Sequence, residues 1–288
     1  GCSYEEVREK EIERKAGVEK TAGFFLMLFI VAGTFAVVYG ILYVANLIHP
    51  VLRFCLETFF IYQILATKSL KTESMKVYKK LKEGDLIGAR KEVSYLVGRD
   101  TENLDESEVA KADVETIAEN TADGVIAPML FIAIGGAPLG FAYKAVNTLD
   151  SMVAYKNEEL INIGFFSAKM DDICNFIPAR FAAVMLMIAS LILRFDFKGA
   201  VKIFKRDRFA HLSPNSAQTE AVAAGALQIQ LGGTHNYFGK AVVKPTIGDD
   251  IRPVEYEDIK RTNQLLYVSA VLSMAVCCLI TFLIYVQL

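Results

Sequence analysis

Two long apolar stretches dominate the pattern of hydrophobic and polar positions along the chain. Residues 21–52 contain no Asp, Glu, Lys or Arg, and residues 264–288 contain none either. Each stretch exceeds the roughly 20 residues that a helix needs to cross a bilayer. A further apolar stretch, residues 51–67, carries Arg53 and Glu57 at the four-residue spacing of a helical ion pair. This stretch is predicted to be either a second pass or a helix lying against the first.

The middle of the chain is apolar but interrupted. Residues 124–143 carry no charge, yet they include two prolines and the run Gly135-Gly136-Ala137-Pro138. Helix breakers inside an apolar segment are typical of broken helices whose free backbone groups find partners within the protein. We predict two re-entrant half-helices, because this arrangement lets the acidic groups before and after the segment converge. A complete crossing would place Asp150 and Asp171 on the opposite side from Glu115.

A shorter apolar stretch, residues 181–193, lies between Arg180 and Arg194. It is too short to cross a bilayer by itself. It is predicted to be a short, partly buried or re-entrant helix unless it extends back over Phe176 and Ile177.

Composition supports a membrane protein. The chain has 53% hydrophobic residues and a positive mean hydropathy, above the roughly 45–50% of soluble domains. The polar segments 68–83 and 108–122 are predicted to be helices, and residues 104–107 are predicted to start the second one. No alternating pattern indicates a sheet of any size. The fold class is therefore mainly α: a polytopic helical membrane protein with polar helical loops and re-entrant or broken helices. Residues 1–288 are expected to form one membrane-embedded catalytic unit.

Basic residues are concentrated in three polar segments. Five Lys or Arg lie in residues 1–20, ten in 68–111 and eleven in 194–261. These segments are expected to face the cytoplasm of a cell whose inner membrane the chain crosses several times. The net charge of −2 gives no basic footprint, so nucleic acid is not expected as a partner. The histidines, His49, His211 and His235, follow no zinc-type spacing and are expected to be structural.

Six carboxylates lie near the edges of apolar segments: Glu115, Glu119, Asp123, Asp150, Asp171 and Asp172. A carboxylate facing lipid costs at least about 2.5–3.5 kcal/mol at mid-bilayer, so these groups should face water, protein or an ion. On a helix, Glu115, Glu119 and Asp123 share one side because they are four apart. The alternative for this side is an ordinary solvated helix face.

Oxygen ligands of this kind suit Mg²⁺, which usually takes one or two carboxylates together with substrate phosphates. Asp171, Asp172 and Asn175 are predicted to be such ligands; the alternative is a helix N-terminus, where Asp is common.

Basic partners for phosphate or carboxylate are available near the same edges: Lys68, Arg99, Lys144, Lys156, Arg180 and Lys244. Arg offers a bidentate fork and Lys a point charge. A lone Lys at a membrane edge is more often an interfacial anchor. No phosphate-binding loop of the GxxxxGK[ST] type occurs, and no base lies beside a serine to make it a nucleophile.

Several ordered blocks resemble the adenosylcobinamide-phosphate synthase (cobinamide synthase) family of cobalamin-biosynthesis membrane proteins. The resemblance covers about residues 65–245. The matching blocks are residues 65–70, 97–101, 114–116 with Glu119-Asn120 and Asp123-Gly124, 147–152, 155–158, Asp171-Asp172 with Asn175 and 178–180, and Ser213-Pro214-Asn215-Ser216. The family usually carries an additional hydrophobic segment with an Asp and Pro motif before the basic stretch, and we expect this chain to lack it.

The resemblance implies an enzyme that joins adenosylcobyric acid to (R)-1-amino-2-propanol or its O-phosphate through an amide bond. It further implies ATP as co-substrate, Mg²⁺ as cofactor, an acyl phosphate intermediate and association with other cobalamin-assembly membrane enzymes.

The candidate site residues fall into three groups by expected role. The catalytic set is Glu115 and Asp150 for proton transfer, with Lys68, Arg99 and Arg180 as clamps. The metal set is Glu119, Asp123, Asp171, Asp172 and Asn175. The set expected to bind the nucleotide or substrate is Lys144, Asn147, Lys156, Ser213, Asn215 and Lys244.

Two other classes of protein remain open on the sequence alone. An intramembrane prenyl-diphosphate transferase would use paired aspartates with Mg²⁺, but it needs a second acidic motif, and Asp150 stands alone. A transporter would also place ionisable residues beside broken helices, but the chain shows few confident spans and no internal repeat.

Overall fold

The computed structural model describes residues 4–153, 160–237 and 240–287, and within these ranges it is mainly helical, as predicted. The first helices are α1 (Tyr4–Ile48), α2 (Pro50–Ile64), α3 (Thr67–Lys82), α4 (Leu86–Ser94) and α5 (Glu106–Asn120). A π-helical turn, Thr121–Ile126, leads into α6 (Ala127–Val153), which is followed by α7 (Phe165–Cys174), α8 (Phe176–Ile192), α9 (Phe197–Asp207) and α10 (Ser216–Leu227). Strands β1 (Leu231–Tyr237) and β2 (Lys240–Ile247) precede the last helix, α11 (Tyr256–Gln287).

Within the described ranges, three helical segments are long and apolar enough to cross a membrane. They are Lys15–Ile48 in α1, Glu106–Val153 from α5 through α6, and Tyr256–Ile284 in α11. A fourth is obtained if α7 and α8 are counted as one interrupted span. The two spans predicted most directly from the sequence are confirmed. Helix α8 begins at Phe176, so residues 181–193 do extend backwards as the sequence allowed.

The backbone contacts group the chain into two compact units. The first comprises Gly1–Ile64 and Ile134–Cys174, and the second comprises Leu65–Ala133 and Asn175–Leu288. Each unit has its own packing, and whether they work as one catalytic unit stays a prediction.

In the first unit, α2 lies against α1 and is not an independent span. It has 15 residues, about 22 Å at 1.5 Å per residue, which is shorter than the bilayer core. Val38 and Leu42 of α1 are buried in a cluster to which Leu56 and Phe60 of α2 contribute. The expected ion pair in α2 forms, with 3.7 Å between Arg53 Nε and a Glu57 carboxylate oxygen.

The predicted break in α6 is present at Gly135 and Gly136. Gly136 has φ +65° and ψ −164°, a conformation that is essentially restricted to glycine. The break frees backbone N–H groups, and Glu57 accepts a weak hydrogen bond from the Ala137 N–H at 3.4 Å. A Cβ on Gly136 would lie 2.5 Å from the same carboxylate. The break and its cap therefore both depend on glycine, and the re-entrant topology built on this break stays a prediction.

In the second unit, α10 is the central buried helix. All of its residues are buried, and it packs against α8, α9 and α5. Its contact with α9 is unusually close, because a Cβ on Gly225 would lie 2.4 Å from the Gly199 carbonyl oxygen. The small side chains of this helix thus let the surrounding helices approach its backbone.

Helix α5 begins as the sequence predicts. Asp105 and Glu108 form a reciprocal capping box, in which each side chain accepts from the other residue's backbone N–H. The end of the predicted helix differs, because Asp123 lies in the π-helical turn. Since a π turn does not keep the four-residue spacing of an α helix, the register assumed for Asp123 is wrong.

The β-hairpin was not predicted from the sequence. Its antiparallel pairing has an irregularity between Gly232 and Thr234. At its end, the Gly248 N–H donates to Asp207 at 2.8 Å, and Arg206 holds the same carboxylate. A charged cluster at the end of α9 thereby fixes the hairpin over α5 and α10.

Candidate active site

A polar cavity of about 160 Å³ lies within the second unit. Its walls come from α5, the loop that precedes α5, the loop before α10, α10 itself and the hairpin. Six ionisable side chains line it, namely Arg99, Glu115, Glu119, His211, Glu220 and Lys244. Pockets for drug-sized ligands are usually about 300–1,000 Å³, so this cavity suits a small polar group.

Glu115 is the most firmly held of the carboxylates. Arg99 Nη2 lies 3.0 Å from one of its oxygens, and the side chains of the pair are only 5% and 16% exposed. The Gly232 N–H donates to the other oxygen at 2.7 Å. Gly232 has φ +74°, and a Cβ there would lie 2.3 Å from the Pro245 carbonyl oxygen. The hairpin therefore brings its backbone to Glu115 through a residue that must be glycine.

Glu119 is held from the start of α10. The Ser216 hydroxyl donates to it at 2.7 Å. The preceding residue, Asn215, accepts a hydrogen bond from Arg180 at 3.3 Å and donates its backbone N–H to the Ser213 hydroxyl. Arg180, Asn215 and Ser213 therefore support the wall that carries Ser216, and they do not line the cavity themselves.

Sequence reasoning missed two of the lining residues, His211 and Glu220. The backbone N–H of Ser213 donates to His211 Nδ1 at 3.0 Å, which leaves Nε2 to carry the proton of a neutral ring. Burial lowers the pKa of His211. Glu220 is 5% exposed, and burial together with the neighbouring Glu119 and Glu115 raises its pKa well above the usual value. The sequence feature that could have identified Glu220 is its spacing from Ser216. The two residues are four apart, so they lie one helical turn from each other on the same side of α10.

The structure brings only part of the predicted set together. Arg99, Glu115, Glu119 and Lys244 line the cavity, whereas Lys68 is exposed on α3. Asp123 does not line it either. Glu115 and Glu119 are both partly buried, so they do not form the solvated helix face that was the alternative for this side of α5.

The first unit holds another group of predicted residues. The Asn147 side chain contacts Lys144 and Asp171 at 3.4 Å in each case. Asp172 lies 3.9 Å from Lys169 in α7, and Asp150 is partly buried near the end of α6. Asn175 is buried at the start of α8 in the second unit, and Lys156 lies outside the described residues.

Within residues 4–153, 160–237 and 240–287, no three His, Cys, Asp or Glu side chains come together as a metal site. Two of the cavity carboxylates already have protein partners, Arg99 and Gly232 for Glu115 and Ser216 for Glu119. These residues do not form a ready-made magnesium cage. The five predicted metal ligands therefore stay a prediction.

These features define a polytopic helical membrane protein with a small charged site. The chain matches the model of the CobD/Cbib protein family over residues 3–266. It belongs to this family of cobalamin biosynthesis proteins.

Similarity to individual proteins extends over most of the chain. It is 55% identical to cobalamin biosynthesis protein CobD of Clostridium perfringens over 91% of this chain and 83% of that protein. It is 53% identical to the CobD protein of Streptococcus sanguinis over 86% of this chain and 78% of that protein. It is 46% identical to cobalamin biosynthesis protein CbiB of Salmonella choleraesuis over 89% of this chain and 80% of that protein. No solved structure matches the chain.

Proposed function

We propose that this protein is a ligase that forms an amide bond between adenosylcobyric acid and (R)-1-amino-2-propanol or its O-phosphate at the expense of ATP. The supporting observation is a small cavity lined by both carboxylates and cations, in a chain of a cobalamin biosynthesis family. A carboxylate is a poor acyl donor, so it must be activated before an amine can attack. ATP with Mg²⁺ supplies that activation by placing a phosphoryl leaving group on the acid.

The chain's own residues would then bind and orient the reactants. Lys244 and Arg99 present positive charge to a phosphate or carboxylate. Glu115 is fixed by two donors, so its contribution is to hold Arg99 and the hairpin in place. This assignment replaces the proton transfer first expected of Glu115, because Arg99 and the Gly232 N–H already hold its two oxygens.

The site is proposed to work at the cytoplasmic face of the inner membrane. Four of its lining residues, Arg99, His211, Glu220 and Lys244, belong to two segments that carry many Lys and Arg, residues 68–111 and 194–261. The positive-inside rule favours a cytoplasmic location for such segments. Association with other membrane enzymes of cobalamin assembly would pass the corrinoid on from this face.

A direct assay tests the proposal. The protein purified in detergent is incubated with adenosylcobyric acid, 1-amino-2-propanol or its phosphate, ATP and Mg²⁺, and the products are separated by mass. We expect an amide product and stoichiometric nucleotide hydrolysis, both lost when ATP or Mg²⁺ is omitted. Product formation without ATP, or none in the complete mixture, would refute the proposal. Transfer of a prenyl group or uptake of a solute by the reconstituted protein would instead favour the other two classes.

A further inference from the structure

Two arginines of the second unit lie close together outside the polar cavity. Arg180 is on α8 and Arg208 follows α9, and the charge of Arg208 acts on Arg180. Gln218 connects their surroundings, because its side-chain amide donates to the carbonyl oxygens of Arg208 at 2.9 Å and of Pro214 at 3.2 Å. Asn215, the residue after Pro214, accepts from Arg180 at 3.3 Å. Neighbouring cations repel each other, so this pair indicates a place for an anion.

The donor groups of the two arginines are only partly used. A guanidinium group carries five N–H donors. Among the described residues, Arg180 finds acceptors for Nη1 alone, one of them the Phe176 carbonyl oxygen at 2.6 Å. Arg208 Nε is buried and has no hydrogen-bond partner there. The nearest carboxylate in sequence, Asp207, is held by Arg206 instead. Buried donors without acceptors are costly, and an anion with several oxygens would satisfy them.

Large apolar side chains accompany the pair. The guanidinium carbon of Arg180 lies 3.6 Å from the centre of the Phe176 ring, and that of Arg208 lies 4.7 Å from the centre of the Phe209 ring. Both rings are more than half exposed, and so is Leu212. Aromatic faces attract the cations but supply no oxygen acceptors to their N–H groups. Cations beside exposed apolar side chains are typical of a membrane interface, where the apolar parts enter the bilayer and the charges meet the headgroups.

The position of the pair in the second unit agrees with such an interface. The hydroxyl of Ser216, next to Asn215, donates to Glu119 at 2.7 Å, which places the start of α10 beside the end of α5. The charge-free segment, residues 124–143, begins five residues after Glu119, or roughly 8 Å along a helix. The headgroup region on each side of a bilayer is roughly 5–8 Å thick. Arg180, which contacts Asn215, is therefore at the depth of the headgroups.

We propose that Arg180 and Arg208 together bind the phosphate group of an anionic membrane lipid. Phosphate oxygens would accept from the open N–H groups of both side chains, and the negative charge would relieve their repulsion. A soluble phosphate would satisfy the same donors, but it would leave Phe176, Phe209 and Leu212 exposed to water, whereas the lipid covers them. Neither arginine lines the polar cavity, so this site does not depend on the proposed reaction, and its test needs no substrate.

The test uses a single fluorescent reporter. The chain contains no tryptophan, so Phe209→Trp introduces one beside Arg208 and keeps an aromatic ring for the cation. The full chain with this substitution is reconstituted in phosphatidylcholine vesicles that contain increasing proportions of phosphatidylglycerol with brominated acyl chains, which quench tryptophan on contact. We expect phosphatidylglycerol to be preferred over brominated phosphatidylcholine by roughly tenfold or more, since each arginine contributes about fivefold.

Charge substitutions show whether the pair causes this preference. Arg208→Gln, made together with the reporter, should lower the preference about fivefold. Lys205→Gln removes the same charge from an exposed position three residues earlier and should leave the preference unchanged. Equal losses in both variants would indicate a general effect of the basic surface and overturn the site. If Arg208→Gln does not fold, Arg180→Gln takes its place with the same expected loss.

Inorganic phosphate distinguishes a lipid from a soluble ligand. At constant ionic strength, millimolar phosphate should leave the quenching by brominated phosphatidylglycerol unchanged. Displacement of the lipid by phosphate would assign the site to a soluble anion and overturn the lipid assignment, and equal quenching by the two brominated lipids would overturn it as well. A preference that is lost on substitution of Arg208 or Arg180, is kept in Lys205→Gln and is insensitive to phosphate supports the lipid site.

Discussion

The contact between the hairpin and Glu115 allows a sharp test with two neighbouring glycines. Gly232 and Gly233 both have positive φ, +74° and +97°, so alanine at either position incurs a backbone cost of roughly 1–2 kcal/mol. At Gly233 a Cβ meets nothing closer than Lys111 Nζ at 3.9 Å, whereas at Gly232 it would lie 2.3 Å from a backbone carbonyl oxygen. The hairpin must therefore shift in Gly232→Ala only.

That shift also removes the hydrogen bond from the Gly232 N–H to Glu115. A bond to a charged group is worth about 1.5–3 kcal/mol, so we expect Gly232→Ala to lose roughly 2.5–5 kcal/mol in total and Gly233→Ala roughly 1–2 kcal/mol. Thermal unfolding in detergent, followed by circular dichroism at one scan rate, compares the two variants. Amide formation should fall much further in Gly232→Ala. Equal losses of stability and activity in both variants would show that the contact with Glu115 contributes nothing beyond backbone conformation.

Three further predictions concern the scaffold of the second unit. Asp258 is fully buried and accepts two hydrogen bonds from Arg252, so Asp258→Ala should cost about 3–5 kcal/mol of unfolding free energy; a change below 1 kcal/mol would contradict this. Gly225→Ala should lower the unfolding midpoint by several degrees because its Cβ meets the Gly199 carbonyl oxygen. An unchanged midpoint would mean that α9 moves away from the added Cβ without loss of stability. Hydrogen bonds from Arg206 and from a backbone N–H lower the pKa of Asp207, so its stabilisation is complete above about pH 4 and is lost as the pH falls through the lowered pKa. Asp207→Asn should therefore be less stable at pH 7 and less sensitive to acid, as unfolding midpoints between pH 3 and 7 would show.

The features that the sequence predicts correctly depend on local patterns. The break at Gly135 and Gly136, the start of α5 at Asp105 and the pairing of Arg53 with Glu57 all follow from neighbours in the chain. Glu115 and Glu119 share the cavity because their four-residue spacing holds within α5.

The features that were missed depend on distant contacts. The hairpin carries glycines and a proline where a strand pattern would alternate, and Asp207 on α9 holds its end. Asp123 was placed on the wrong register because nothing local marks a π-helical turn. His211 and Glu220 each stand alone in the sequence, and only the packing of α10 against α5 brings them into one cavity.

The cap on the broken helix also has a consequence for biogenesis. Glu57 accepts from Ala137, which follows it by 80 residues, so this partner does not exist while α2 leaves the ribosome. Before Ala137 is synthesised, the Glu57 carboxylate can pair with Arg53, which lies one turn earlier in α2. A 15-residue helix with two charges gains little by entering lipid alone. We expect α2 to settle beside α1 only after α6 has been translated, which makes the order of synthesis part of how this membrane region is assembled.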